Sequence, residues 1–217
     1  MESRVVVIGS GGHSKVVCDA IVAGGRYQLA GLLDDFRDQG SPTWGPPLIG
    51  GIAALPGLGI TRGVIAVGDN WRRFEIYEQV QKLIPSFEFV TIVHPFTAVS
   101  KESFLGAGTV VLAGAVINPG TKIGAHTIVN TRAAIDHDNS IGDFASIAPG
   151  ATLGGSVTVG DFSAVGLGAS VRHGTAIGQH TVIGMGAAVV AEVGSHAVAY
   201  GVPAQVMRSR MPGEAYL

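Results

Sequence analysis

The sequence predicts a mixed architecture: a small domain of alternating strands and helices, followed by a parallel β-helix of about five triangular coils. Three observations carry this. From Leu105 onward an aliphatic residue recurs at every sixth position: Leu105, Val111, Ile117, Ile123, Val129, Ile135, Ile141, Ile147, Leu153, Val159, Val165, Val171, Ile177, Ile183 and Val189. Two residues before nearly every one stands a small or β-branched residue, as at Thr109, Ala115, Thr121, Thr127, Ala133, Ala145, Ala151, Ser163, Ala169, Thr175, Thr181 and Ala187. Ahead of this run, apolar strand-like segments alternate with helical spacing, the sign of a small parallel sheet.

A period of six fits neither a helix nor a flat strand, but it is a β-helix repeat length. Each hexad supplies a short extended segment and a corner. The aliphatic chain points into a narrow prism and its small partner fits the crowded turn. Three hexads close a coil, so residues eighteen apart stack at roughly 4.8 Å, the spacing of neighbouring strands. Ile123, Ile141, Val159 and Ile177 then form one internal ladder. The expected domains are 1–95 and 96–217, with His94-Pro95 as the joint.

Composition agrees with a solenoid. Charged residues make up 14% of the chain and glycines number 33, a low and a high share for a globular protein. A net charge of -2 without a basic tract gives nucleic-acid binding no footing. Met1 to Ile8 has no charged leader followed by an apolar core, and no apolar run approaches 18 residues, so no membrane segment is expected. A single cysteine, Cys18, leaves no internal disulfide framework and suits a reducing cytoplasm. Its neighbours Val16 and Val17 mark it as core.

Taken in order, Val5-Val6-Val7-Ile8 reads as a buried strand. Gly9-Ser10-Gly11-Gly12-His13-Ser14 is a glycine-rich turn leading into a helix from Lys15 to Ala23. In such a unit the free N–H groups at the helix start face an anion, although the turn lacks a full GxGxxG pattern. The next strand, Leu29 to Leu33, ends in Asp34-Asp35, where acidic residues accept from ribose hydroxyls or a base. Phe36 to Pro47 is a loop, Leu48 to Gly51 an extended piece, and Ile52 to Leu55 a short helix. Gly63 to Val67 forms a third strand closing in Gly68-Asp69-Asn70. Trp71 to Leu83 is an amphipathic helix with Phe74, Tyr77, Val80 and Ile84 near its inner stripe. Phe89 to Val93 is the last strand of the domain. Ligands of such sheets sit beyond the carboxyl ends of the strands, here at Gly9 to His13, Asp34-Asp35 and Gly68 to Asn70.

The GSGGHS turn, the strand ending in Asp-Asp, the AVGDN strand end, the His-Pro joint, the unbroken hexads and a Gly201-Val202-Pro203-Ala204 tail follow one another in a specific order. In that order and spacing the chain resembles the bacterial nucleotide-sugar N-acetyltransferases of the hexapeptide-repeat acyltransferase superfamily, relatives of the sialic acid O-acetyltransferases. The resemblance runs essentially the length of the sequence. It implies a Rossmann-like nucleotide-sugar-binding domain, a left-handed β-helix, a homotrimer packed along the helix axes, and acetyl-CoA as co-substrate lying between adjacent solenoids. No metal is expected.

One hexad region departs from the bland pattern. Asn130 to Asn139 concentrates polar side chains, with His137 flanked by Asp136 and Asp138. A carboxylate on one ring nitrogen fixes the tautomer and leaves the other nitrogen free to accept a proton. The resemblance assigns His137 and Asp138 as the catalytic pair, with Asp136 as an alternative partner. One coil before His137 stands Pro119 and one coil after stands Gly155, which leaves room above the ring. Substrate-binding residues implied by the same resemblance are Gly11, Gly12, His13, Asp34, Asp35, Gly68 and Asn130; cofactor-binding ones are Ser146, Leu167 and Met185. Leu167 and Met185 fall in one column with Thr131 and Pro149, large apolar groups at outward corners that acetyl-CoA or another subunit must cover. After Ala204 the family places a basic residue near CoA, but this chain has Gln205, with Arg208 or Arg210 as substitutes. The histidines at 126, 173 and 180 read as inert residues on solvated turns.

The activity expected is direct acetyl transfer to the amino group of a UDP- or GDP-linked 4-amino-4,6-dideoxy sugar. A sugar or sialic acid O-acetyltransferase is the nearest alternative, because a hydroxyl acceptor needs the same base. A zinc carbonic anhydrase on the same solenoid and a non-catalytic nucleotide-sugar scaffold are more distant ones.

Overall fold

A computed structural model describes residues 3–39 and 43–216; residues 40–42 of the expected Phe36 to Pro47 loop lie outside that range. The first domain runs β1 (Ser3–Ile8), α1 (Gly12–Gly24), β2 (Tyr27–Leu33), β3 (Leu48–Gly50), a 3-10 helix (Ile52–Leu58), β4 (Arg62–Ile65), α2 (Asn70–Leu83) and β5 (Glu88–Phe89). Its five strands form one sheet in the order β3-β2-β1-β4-β5, every pair parallel. The strand order reverses between β1 and β4, and an open sheet of this kind presents its ligand crevice beyond the strand ends at such a reversal. Gly9 sits there with φ +110. A Cβ at that position would lie 2.9 Å from the Ala66 carbonyl oxygen, so the turn out of β1 admits only glycine.

The first domain joins the solenoid earlier than the sequence suggested. The expected single strand from Phe89 to Val93 is two: β5 pairs with β4, whereas Ile92–Val93 already pairs with Val110–Val111 in the β-helix. The boundary therefore falls between Phe89 and Ile92 rather than at Pro95, because the chain leaves the α/β sheet at Val90 and enters the solenoid without an intervening linker. One apolar cluster, including Val5, Val17, Ile21 and Val64, continues directly into Ile92, Val110 and Leu112. Cys18 is buried in that cluster, where desolvation pushes its thiol up to about 11.

From Phe104–Leu105 to Ala188–Val189 every hexad contributes a two-residue strand ending on the aliphatic residue. These strands stack eighteen residues apart, for example Lys122-Ile123 on Ser140-Ile141 and Thr158-Val159 on Ala176-Ile177. Two further hexads, Ile92–Val93 and Ala98–Val99, precede the periodic run, so the rod is about a coil longer than the five expected. The strands form three faces: a first through Ile128–Val129, a second through Ala134–Ile135 and a third through Ser140–Ile141. The small partners are almost all fully buried, and their hydroxyls close the corners. Thr109, Thr121, Thr127 and Ser163 each donate to a carbonyl fifteen residues on, at 2.6 to 2.8 Å. Satisfying that buried carbonyl from a short side chain is what the crowded position requires.

Helix α2 docks on the corner between the third and first faces, where sequence reading expected inert histidines. There His126, Phe144, Phe162, His180 and His196 stack one above the next at centroid spacings of 4.7 to 5.4 Å, and Trp71, Phe74 and Tyr77 of α2 pack against them. His126 is buried, and desolvation together with the nearby Arg73 charge lowers it to about 3. It is thus a neutral aromatic plate rather than a solvated turn residue, as is the half-buried His180. His173 alone of the three is exposed.

Candidate functional site

The reversal of strand order brings His13 against the solenoid, with Gly11 and Gly12 exposed beside it. Helix α1 begins after Gly11 with no side-chain cap and no acidic residue in its first turn, so its leading N–H groups are left for an anion. A Cβ on Gly11 or Gly12 would meet nothing within 4 Å; the space beside this turn is open. His13 and Gly68 form one end of a cavity of about 420 Å³ whose remaining walls are solenoid residues, chiefly Asn130, Ser146, Pro149, Leu167 and Met185, with Tyr216. His13 Nε2 is buried without a hydrogen-bond partner, and burial followed by the Arg73 charge holds the ring neutral, down to about 4.

The cavity has a polar end and an apolar one. His13, Gly68, Asn130, Ser146 and Tyr216 supply the first. Ala148, Pro149, Val165, Leu167, Ile183 and Met185 supply the second, which suits the thin, mostly apolar arm of a pantetheine. Leu167 and Met185 are 53% and 77% exposed, large apolar side chains left for a ligand or another subunit to cover. Ser146 does more than line the cavity. Its hydroxyl donates to Asn70 Oδ1 at 2.6 Å, and Asn70 Nδ2 in turn donates to the Phe162 and Ser163 carbonyls.

At the centre of this joint lies Arg73, which sequence reading passed over. It is 1% exposed and forms no ion pair with a carboxylate among the described residues. Its guanidinium donates instead to the carbonyls of Val67 and Gly68 on one side and His126, Phe144 and Ala145 on the other, at 2.7 to 3.1 Å. The ligand-facing end of β4 is thereby tied to two successive coils of the solenoid. Helical spacing carried the signal, because residue 73 falls on the same stripe as Ile76, Tyr77 and Val80.

Asp34 and Asp35 stand apart from this cavity. They line a second one of about 140 Å³ with Gly9, Phe36, Val67 and Arg72. Asp34 accepts from the Ser10 N–H and hydroxyl and from Phe36 N–H, and these hydrogen bonds hold it below the usual carboxylate range despite partial burial. Asp35 accepts from Ile52 N–H and Gln79. Both carboxylates thus shape the glycine turn and the neighbouring loop as well as facing this second cavity. Phe36, 81% exposed beneath the Arg72 guanidinium, offers that space an aromatic face.

His137 is on neither cavity. It occupies the corner between the second and third faces, whereas Asn130, Leu167 and Met185 belong to the corner between the first and second. Its Nδ1 lies 2.8 Å from Asp138 Oδ2. An ionised carboxylate can only accept, so Nδ1 carries the proton and Nε2 its lone pair. That hydrogen bond first, then the charge of Asp136, raises the His137 pKa. The turn that lets adjacent side chains meet is a left-handed Asp138, φ 58, and Asn139 holds it. The Asn139 amide is buried and donates to the Asp136, His137 and Gly154 carbonyls, taking the corner role that threonine has elsewhere. Asp136 binds Asn118 and the His137 N–H and acts on the ring through its charge, without a hydrogen bond to it. Above the ring lies Gly155, where a Cβ would come within 2.6 Å of Nε2; only glycine leaves that nitrogen open. No group of three His, Cys, Asp or Glu residues suited to a metal occurs among the described residues.

Of the proposed phosphate cations, Arg210 is turned inward, buried and donating to the His180 carbonyl. Arg208 is paired with Glu214 at 2.7 Å. The swap for the missing basic residue at Gln205 is therefore not supplied by Arg210.

Residues 4–80 match the PglD N-terminal domain family. The chain is 38% identical over 122 residues to the UDP-N-acetylbacillosamine N-acetyltransferase of Bacillus subtilis, an alignment that spans 51% of this chain and about half, 51%, of that curated relative. Among solved structures it superposes on a variant of perosamine N-acetyltransferase from Caulobacter crescentus, determined with CoA and GDP-perosamine, with a TM-score of 0.88 and 34% identity over 94% of this chain and 97% of the other. The acetyltransferase domain of PglB from Neisseria gonorrhoeae, determined with acetyl coenzyme A, gives 0.88 and 35% over 95% and 100%. With an α/β domain welded to a left-handed hexapeptide solenoid along nearly its whole length, this chain belongs to the nucleotide-sugar N-acetyltransferases.

Proposed function

We propose that the protein transfers the acetyl group of acetyl-CoA to the amino group of a nucleotide-linked 4-amino-4,6-dideoxy sugar, with His137 as general base. The observation that carries this reading is the His137 ring, oriented by Asp138 through Nδ1 and left open at Nε2 beneath Gly155. The nucleotide lies across the α/β strand ends, over the uncapped start of α1 and beside Asp34 and Asp35. The sugar reaches toward His13, Gly68 and Asn130, and the pantetheine arm follows Ser146, Leu167 and Met185.

The reaction needs no acyl-enzyme. The neutral sugar amine attacks the thioester carbon, His137 Nε2 takes the proton released as the C–N bond forms, and the C–S bond breaks to give CoA thiolate, which is reprotonated. Asp138 stabilises the imidazolium formed midway. Base assistance of this kind is worth about 10² to 10⁴ in rate, and holding two substrates together supplies much of the remainder.

One chain separates its base from its cavity by the second face of the prism. A homotrimer packed along the solenoid axes brings His137 of one subunit to the cavity of the next and covers Leu167 and Met185 at the same time. The setting we infer is cytoplasmic, in the assembly of surface glycans.

Thiol release from acetyl-CoA, measured with UDP- and GDP-linked amino sugars and their hydroxyl counterparts, tests the reading. His137→Ala is expected to lower kcat by about 10² or more while CoA affinity and assembly stay intact. Unchanged turnover in that variant removes the base, and faster turnover with the hydroxyl acceptors converts the reading to O-acetylation.

A further inference from the structure

Residues 205–216 do not end on the solenoid where they begin. Gln205–Ser209 pairs antiparallel with Ala197–Tyr200 on the first face, and the following residues then cross back to the α/β domain. This return is fastened along its length. Arg210 N–H donates to the His196 carbonyl at 2.8 Å, and its guanidinium donates to the carbonyls of His180 and Glu214. Glu214 pairs with Arg208 and accepts from Met211 N–H. Gly213, with φ +77, lies flat on the Trp71 indole, where a Cβ would approach Nε1 to 3.1 Å.

The fastening delivers Tyr216 to the cavity. Its ring rests 5.6 Å from the Arg210 guanidinium, and its hydroxyl donates to the Gly68 carbonyl at 3.3 Å. The hydroxyl also meets Ser146, and burial raises its pKa. It therefore stays protonated at working pH, a donor placed among His13, Gly68, Asn130 and Ser146 at the polar end of the cavity. Neither the hexad pattern nor the strand-end rule assigns a residue from this segment to the site.

We propose that Tyr216 is an acceptor-binding residue: carried across the domain joint by residues 210–216, it walls the polar end of the cavity and its hydroxyl contacts the nucleotide-linked sugar. The inference rests on the function proposed above and concerns the acceptor alone. The acceptor is polyhydroxylated and anionic, with many groups for a phenol to bind. The pantetheine arm runs along Leu167 and Met185 toward the apolar end and shares only Ser146 with Tyr216. Gly68 and Ser146 hold the hydroxyl in the free protein, and the sugar takes over one of those contacts when it binds.

Steady-state kinetics of the full chain separate the two substrates. Tyr216→Ala is expected to raise KM for the nucleotide sugar at least about tenfold, the equivalent of 1.4 kcal/mol, with KM for acetyl-CoA within about twofold. Tyr216→Phe keeps the ring and is expected to show roughly a three- to tenfold rise from the lost hydrogen bond. Trp71 emission, recorded in a Trp44→Phe background and sensing Gly213, checks in each variant that the segment still docks. Equal movement of both KM values, or of neither, in a variant with unchanged Trp71 emission overturns the assignment. Its failure is distinct from failure of the functional reading: the latter shows as persistent turnover in His137→Ala, whatever Tyr216 does.

Discussion

His137 draws its properties from three neighbours at single-residue scale. Asp138 fixes the tautomer, Asn139 holds the turn, and Gly155 leaves the far nitrogen uncovered. A base must be neutral to accept a proton, and the hydrogen bond to Asp138 and the charge of Asp136 raise the His137 pKa above its ordinary value near 6.5. Activity is therefore expected to fall on the acid side with a limb above pH 6.5. Asp138→Asn should shift that limb to lower pH and reduce the plateau, and a pH profile of kcat/KM that keeps its acid limb in this variant would show that Asp138 does not tune the ring. The dyad and the open coil above it were legible in the sequence, because stacking by eighteen places Gly155 over His137 by arithmetic alone. Asn139 was legible only as a polar oddity. Its three carbonyl partners come from two successive coils and appear only when the rod is wound.

Among elements, α2 behaves differently from its sequence pattern. Its inner stripe was expected to be apolar, and Phe74 and Tyr77 do pack on the ring column and Val80 is fully buried, but Arg73, at 1% exposed, is buried with them. Burial lowers its pKa, yet only to about 10, so it stays charged and spends its donors on backbone carbonyls from both domains. Lysine offers one point charge in place of a planar fork. Arg73→Lys is expected to destabilise the fold by about 2 to 4 kcal/mol, since several buried carbonyls lose their donor; chemical denaturation with an unchanged midpoint would sink the idea that this side chain welds the domains. Asp69, by contrast, was readable as a strand end and proves to cap α2 through Arg72 N–H at 2.9 Å. A capping residue announces itself locally, whereas a buried arginine depends on which surface its helix meets.

At the scale of the molecule, the prism sets three corners to three tasks: one docks α2, one carries the cavity and one carries His137. In the homotrimer proposed above, base and cavity are complementary between neighbouring copies rather than within one. A mixing experiment tests this division. His137→Ala and a cavity-filling Ala148→Trp are each expected to be inactive alone, and subunits of the two, unfolded and refolded together, should regain activity where an intact histidine meets an intact cavity. A mixture as inactive as its components would place base and cavity in the same chain. The six-residue period, the internal ladders, the alternation of strand and helix, and the isolated polar hexad were all determined by the sequence itself, because each depends on spacing along the chain and on which side chains tolerate burial. What tertiary structure alone decided is how the parts face one another. The solenoid begins at Ile92 because the chain changes sheets there. The histidines at 126 and 180 become stacking plates because α2 covers them, and Arg73 reaches the solenoid carbonyls and Tyr216 the cavity because segments far apart in the chain meet at one joint. No local pattern records such meetings, since their energy comes from surfaces that exist only once both domains have formed.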